Sequence, residues 1–133
     1  MIPSSSEIVV VDASVFVDVL LDEPRAKACV AVGELHAPVT IDAEVVHALR
    51  RRWLAGLLAD DIATNAIGLF ATFDVIRQPI AHLTERMWQL RQNLTAYDAA
   101  YVALAELLQA PLLTRDRRLA NSSGHGARIE YID

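Results

Sequence analysis

Short runs of β-branched and aliphatic residues alternate along this chain with longer segments in which apolar positions recur every three or four residues. "EIVVV" (residues 7–11) is unbroken by polar positions before Asp12 and reads as a strand buried on both faces. "SVFVDVLLDE" (14–23) reads as a helix with Ser14 as its cap, and a second helix runs from Pro24, a favoured first position, to about Glu34. A second strand, "APVTI", is expected over 37–41. Asp42 would then cap a helix carrying Val45, Val46, Leu49, Trp53 and Leu57. Asp60 or Asp61 opens another helix along Ile62, Ala66, Leu69, Phe70 and Phe73. A third strand over 73–78 ends at Pro79. Leu83, Met87, Leu90 and Leu94 mark a helix ending near Asn93.

The next segment, "TAYDAAYVALAELL" (95–108), is an almost wholly apolar helix headed by Thr95-x-x-Asp98, the form of a capping box. Strands over 110–114 and 127–132 follow, the last at an edge. Strands alternating with helices, and strands that are continuous apolar runs, predict one domain over residues 1–133. It is expected to be a three-layer α/β/α sandwich around a mainly parallel sheet of four to five strands.

That topology bears on the acids. In parallel sheets ligands gather at the carboxyl ends of strands. Asp12 follows the first strand, Glu44 lies in the first turn after the second, and Asp116 lies just past the fourth. A helix preceding a parallel strand starts at the carboxyl edge, which puts Asp98 there too. Each residue has an ordinary explanation alone: Asp12 as a turn or cap residue, Glu44 as a complement to the helix dipole, Asp98 as half of the capping box, Asp116 as the start of a short helix. Those explanations leave four acids at one edge unexplained. Two carboxylates ~5 Å apart in an effective dielectric of ~20 repel by roughly 3 kcal/mol. A divalent cation relieves that, and oxygen-only ligands suit Mg²⁺ or Mn²⁺ over zinc.

Composition narrows the classes. The chain is 53% apolar and 22% charged, an apolar surplus that implies a contact surface. No run is as long as a membrane span, and "MIPSSSEIVVVDAS" carries no basic leader, so the expected location is the cytoplasm. The single Cys29, on an apolar helix pattern, excludes an internal disulfide and is expected to be a buried thiol. A net charge of −5 argues against a simple basic glove for nucleic acid; setting the four acids aside leaves −1.

"VVVDASVFVDVLL", "APVTIDAEVVHALRR", "LTAYDAAYVALAE" and "PLLTRDRRLA" together resemble the motif series of PIN-domain ribonucleases, above all the VapC-type toxins of bacterial and archaeal toxin–antitoxin modules. Any one motif is weak, but the ordered set of four is specific and spans essentially the whole chain. The resemblance implies an Mg²⁺-dependent (or Mn²⁺-dependent) endoribonuclease that hydrolyses RNA phosphodiesters, leaving a 5′-phosphate and a 3′-hydroxyl and inhibiting translation or growth. It implies Asp12 and Asp98 as direct metal ligands. Glu44 either binds through water or positions the nucleophile, and Asp116 serves a second ion. Ser14 and Thr114 match small polar residues supporting the site. The implied partners are RNA, a cognate VapB-type antitoxin and a second copy in a homodimer.

Other groups rank lower. Arg50, Arg51 and Arg52 read as a solvated helix face, whereas Arg115, Arg117 and Arg118 border Asp116 and read as phosphate contacts. His36, His47, His82 and His125 lack zinc spacing. Trp53, Leu54, Leu57 and Leu58 read as core by default, with a dimer or antitoxin surface as the alternative. A receiver-like signalling domain would need a lysine after its last full strand, and the one lysine, Lys27, lies on an early helix. A catalytically silent PIN domain acting as a binding module is the remaining alternative.

Overall fold

The computed structural model describes residues 7–31 and 33–133. Residues 1–6, which begin the stretch read above as lacking a basic leader, lie outside the described residues. Five strands form one parallel sheet in the order β3-β2-β1-β4-β5: β1 (Ile8–Val11), β2 (Glu34–Pro38), β3 (Val75–Gln78), β4 (Leu112–Thr114) and β5 (Ile129–Tyr131). Between them, among the described residues, run α1 (Ala13–Leu20), α2 (Pro24–Val30), α3 (Ile41–Leu54), α4 (Asp60–Phe70), a 3₁₀ turn (Ala81–Leu83), α5 (Thr84–Gln89), α6 (Ala96–Leu108) and α7 (Arg117–Ala120). From β1 to β3 the chain steps one way across the sheet; from β3 it returns to β4 and β5. Right-handed crossovers therefore put α1 to α4, which pack on one another, and the α5–α6 pair on opposite faces. The three-layer parallel architecture expected from the sequence is the one observed.

Some boundaries differ, for physical reasons. β2 begins at Glu34, three residues before the expected strand, and α2 stops at Val30 rather than near Glu34. The polar His36 hides this strand from a hydrophobicity reading. It is nevertheless buried, its ring held between Glu34 (2.6 Å) and Gln78 (3.0 Å). The cap of α1 is Asp12, not Ser14, which already lies inside the helix. Asp42 does not cap α3; its carboxylate takes a two-pronged bond from Arg77, both contacts 2.7 Å. Trp53, Leu54 and Leu57 are exposed rather than core, and Leu58 packs at the core's margin. Cys29 is free and half-buried.

The core below the site is tightly specified. Phe16 of α1 is fully buried and meets Phe70 and Phe73 edge-on, with centroids 5.6 and 6.2 Å away. In α6 every residue from 99 to 105 is buried, and its alanines let the helix lie close on β1, β2 and β4. Among the described residues no helix is long and apolar enough to cross a membrane.

Gly33 enters β2 at φ +95°, and a Cβ there would stand 2.9 Å from the Glu7 carbonyl oxygen, which accepts the Glu34 N–H at 2.6 Å. Gly33→Ala is expected to lower stability by about 1–3 kcal/mol in urea unfolding through backbone strain and this contact. Unchanged stability would show that the turn relaxes freely.

Candidate active site

Strand order reverses between β1 and β4, and at such a switch point the connections leave in opposite directions and open a crevice. Asp12 and Asp116 follow the two strands that flank it. Asp12, extended at φ −84° and ψ 172°, ends β1 and caps α1. Its Oδ1 accepts from Ser14 Oγ (2.6 Å) and the Val15 amide (3.2 Å), and its Oδ2 accepts from Thr114 Oγ1 (2.5 Å). The side chain is almost wholly buried. Burial pushes its carboxyl up to about 6, with a smaller push from the Asp98 charge; the three hydrogen bonds pull the other way.

Thr114 and Ser14 do more than support Asp12. The Thr114 hydroxyl also accepts the Asp116 amide (3.0 Å), and the Ser14 hydroxyl accepts the Arg115 amide (3.0 Å). Two hydroxyls thus stitch the end of β4 to the start of α1. Asp116 caps α7, taking the Arg118 and Leu119 amides on Oδ1 (2.9 and 3.4 Å).

Glu44 comes from α3 on one face of the sheet, and Asp98 from α6 on the other. Glu44 Oε2 accepts from Thr40 Oγ1 (2.8 Å) and from the buried Tyr101 hydroxyl (3.2 Å). Burial raises the Glu44 carboxyl above its ordinary value, and the charges of Asp98 and Asp12 add to that. The Tyr101 phenol is pushed up in turn, first by burial and then by the Glu44 charge, so it stays a donor. Asp98 gives its amide to Thr95 Oγ1 (3.2 Å), which is half of a capping box. Its carboxylate turns instead to Arg118 Nη2 (3.1 Å), and the same nitrogen lies 3.5 Å from Asp116.

All four acids line one cleft of about 680 Å³, together with Ser14, His47, Arg51, Tyr97 and Tyr101. The topological argument from the sequence had put them on one edge; the structure brings them to one cavity. Among the described residues no three His, Cys, Asp or Glu side chains stand, as placed, in position to hold a metal ion. The positions explain this. Both Asp12 oxygens are engaged, and the Arg118 guanidinium bridges Asp98 and Asp116, supplying the positive charge those two meet.

The other arginines are distributed differently from their reading in the sequence. Arg115 is tied to Asp18 (3.3 Å) and Glu23, and Arg117 lies over the Tyr131 ring, 4.6 Å from its centroid. Arg52 pairs with Asp18 (3.2 Å). Arg51 lines the cleft. Sequence reasoning passed over Thr40, Tyr101 and Tyr97 and read Arg51 as part of a solvated helix face, although spacing carried a signal: Thr40 and Arg51 lie four before and seven after Glu44, and Tyr101 three after Asp98, each on its neighbour's helix face.

The sequence pattern of the PIN domain matches residues 9–124. Ribonuclease VapC12 of Mycobacterium tuberculosis is 43% identical over 127 residues, covering 93% of this chain and 98% of its own. Ribonuclease VapC9 of the same organism is 40% identical over 114 residues, covering 86% and 90%. Among solved structures, PAE2754 from Pyrobaculum aerophilum superposes with a TM-score of 0.64 at 26% identity, covering 94% of this chain and 90% of that one. VapBC2 from Rickettsia felis, bound to a DNA fragment from their promoter, gives 0.66 at 14% identity over 95% and 99%, a likeness of fold.

The raised Asp12 carboxyl fixes the sign of a pH effect. The folded chain binds this proton more tightly than the unfolded chain, whose value is near 3.8, so the stability it contributes is full below about pH 4 and lost as pH rises through about 6. Relative to Asp12→Asn, which cannot titrate, the wild type in EDTA should lose about 2 kcal/mol between pH 4 and 7 in urea unfolding. A difference between the two proteins that does not vary with pH would show that Asp12 ionises normally.

Proposed function

The chain belongs to the PIN domain family, and from that premise we propose that it is a divalent-metal-dependent endoribonuclease, the toxin of a type II toxin–antitoxin pair. In this reading residues 1–133 act as a single domain in the cytosol, and RNA cleavage inhibits translation or growth. The observation that carries the proposal is the cleft itself: Asp12, Glu44, Asp98 and Asp116 on its walls, drawn from both faces of the sheet. Relatives of 40–43% identity named ribonucleases support it.

The residues fit a hard cation by their donor chemistry, all carboxylate oxygen, and by the upward push that burial and like charge place on Asp12 and Glu44. Asp12 and Asp98 would hold Mg²⁺ or Mn²⁺ directly, and Asp116, once released by Arg118, would contribute to a second ion. Bound there, the cation neutralises phosphate charge and lowers the pKa of a water. The protein's own groups do the rest. Ser14, Thr114 and the Val15 amide fix Asp12 in one orientation. Tyr101 and Thr40 hold one Glu44 oxygen, leaving the other to orient the attacking water or take its proton. In the hydrolysis the water oxygen bonds to phosphorus, the P–O3′ bond breaks, and the products are a 5′-phosphate and a 3′-hydroxyl. A receiver-type switch lacks its key group here, because Lys27 pairs with Asp22 (2.5 Å) on the α2 side of the molecule.

Partners follow from the apolar surface. Val46, Trp53 and Ile67 line an open groove of about 200 Å³ between α3 and α4. We assign it to a small VapB-type antitoxin, whose basic side chain would reach the acids as Arg118 does, and assign further exposed apolar residues to a homodimer contact. The VapBC2 pair from Rickettsia felis supports the antitoxin as partner. Co-expression with the neighbouring gene's product should yield a stable complex with suppressed cleavage; a neighbour that neither binds nor suppresses would defeat the toxin assignment.

Cleavage of total RNA by the purified chain should require Mg²⁺ or Mn²⁺ and stop in EDTA. Asp98→Asn should stay folded, hold or gain stability without metal, lose its thermal response to Mg²⁺, and cleave at least about a hundredfold more slowly. Thr95→Ala, which weakens the same helix start by about 0.5–1 kcal/mol, should remain active. A destabilised but active Asp98→Asn would make that residue a cap alone. A metal-loaded wild type that cuts nothing would make the domain a silent binding module.

A further inference from the structure

Arg118, the second residue of α7, folds back over its own helix cap. Its amide donates to Asp116 Oδ1 (2.9 Å), while its Nη2 lies 3.5 Å from Asp116 Oδ2 and 3.1 Å from Asp98 Oδ2. One of those Oδ2 atoms belongs to the cap of α7 and the other to the first turn of α6, and a single guanidinium nitrogen serves both. Every other arginine–carboxylate pair among the described residues involves acids outside the cleft.

The remaining oxygens of the site are placed differently. Asp116 Oδ1 is held by the α7 amides, whereas Asp98 Oδ1 and Glu44 Oε1 accept no hydrogen bond among the described residues. A first cation can therefore be met by Asp12, Glu44 and the open oxygen of Asp98 while Arg118 stays where it is. A second cation shared by Asp98 and Asp116 needs the two oxygens that Arg118 holds. Like charges at contact distance repel, so the two occupants exclude each other. We propose that Arg118 is an internal competitor for the second cation position, holding the Asp98–Asp116 pair until a second divalent ion expels it. The identity of the displacing ion rests on the proposed metal site; the contact between Arg118 and the two acids does not. Nothing in the core opposes the exchange. The Arg118 side chain is two-thirds exposed, and α7 keeps its cap when that side chain leaves, because the capping bonds run to Asp116 Oδ1. The first ion then loads freely, and the second loads only above a concentration of free metal that Arg118 sets.

The size of the effect follows from the contact. Competition from an exposed ion pair is worth up to about fivefold in affinity, and a like charge beside a divalent ion adds to it, giving roughly tenfold. The test is isothermal titration calorimetry of the full-length protein with Mn²⁺, with bound ions counted by electron paramagnetic resonance. Wild type, Arg118→Ala and Arg118→Gln are compared. Both neutral variants should bind the second ion roughly tenfold more tightly, with the first ion changed by less than about threefold. Arg117→Ala removes the same charge one residue away, where the guanidinium lies over the Tyr131 ring, and should shift either ion by no more than about twofold. The competitor reading is overturned if the Arg118 variants bind the second ion as wild type does or more weakly, if Arg117→Ala gains as much as they do, or if no variant takes a second ion. RNA cleavage by the wild type would then leave the nuclease assignment standing. If the tenfold shift appears in a protein that cuts no RNA, Arg118 competes as proposed and the nuclease assignment falls.

Discussion

A carboxylate taken out of water must be met by donors, and Asp12 is the point where this chain satisfies that requirement. Its two oxygens take one amide and two hydroxyls from two places: Ser14 and Val15 in the first turn of α1, and Thr114 at the end of β4. Leaving such a group unmatched would cost several kcal/mol, so the β1–α1 turn and the end of β4 are not free to move apart. The relation also runs outward. Thr114 passes the constraint to Asp116 and Ser14 passes it to Arg115, so the shape of the cleft follows from how one buried acid is solvated by protein.

Charge is managed by a second rule. Seven arginines are committed to carboxylates, several across elements distant in sequence, such as Arg77 with Asp42 and Arg86 with Glu106. Surface pairs of this kind contribute little stability. What they do is offset positive charge over much of the surface; of the arginines left without a carboxylate partner, Arg51 is the one that lines the acidic cleft. Arg118 is the exception, because its partners are the acids of the cleft. Its side chain is two-thirds exposed, so it can leave without disturbing the core.

How much was legible in the sequence depended on whether a residue's role was local. Buried parallel strands announce themselves as "IVVV" and "PLLT", and Thr95, Pro24 and Asp60 mark helix starts, because these signals arise within a few residues. The edge on which the four acids lie followed from topology alone. What escaped were roles set by partners far along the chain. His36 counted as polar until Glu34 and Gln78 were beside it. Tyr101 drew no reading of its own, though its hydroxyl donates to a glutamate 57 residues away. Arg115 and Arg117 read as free cations because nothing local shows that Asp18, Glu23 and Tyr131 claim them. Trp53 and Leu57 fit a helical stripe, but periodicity cannot say whether a stripe faces a core or an open groove.

The full burial of α6 has a consequence for how the molecule opens. A helix enclosed along seven consecutive residues has no route to local fraying there, and its amides exchange with solvent through the same large-scale opening that exposes the sheet. Asp98 sits on the first turn of that helix and Asp12 at the end of the central strand, so the floor of the cleft belongs to the slowest-exchanging unit. Arg51 and Tyr97, on the rim, lie on α3 and α6 but keep their side chains exposed. Drift in sequence at the rim therefore leaves the cooperative unit intact, and a lineage can change what the cleft holds without renegotiating whether the chain folds.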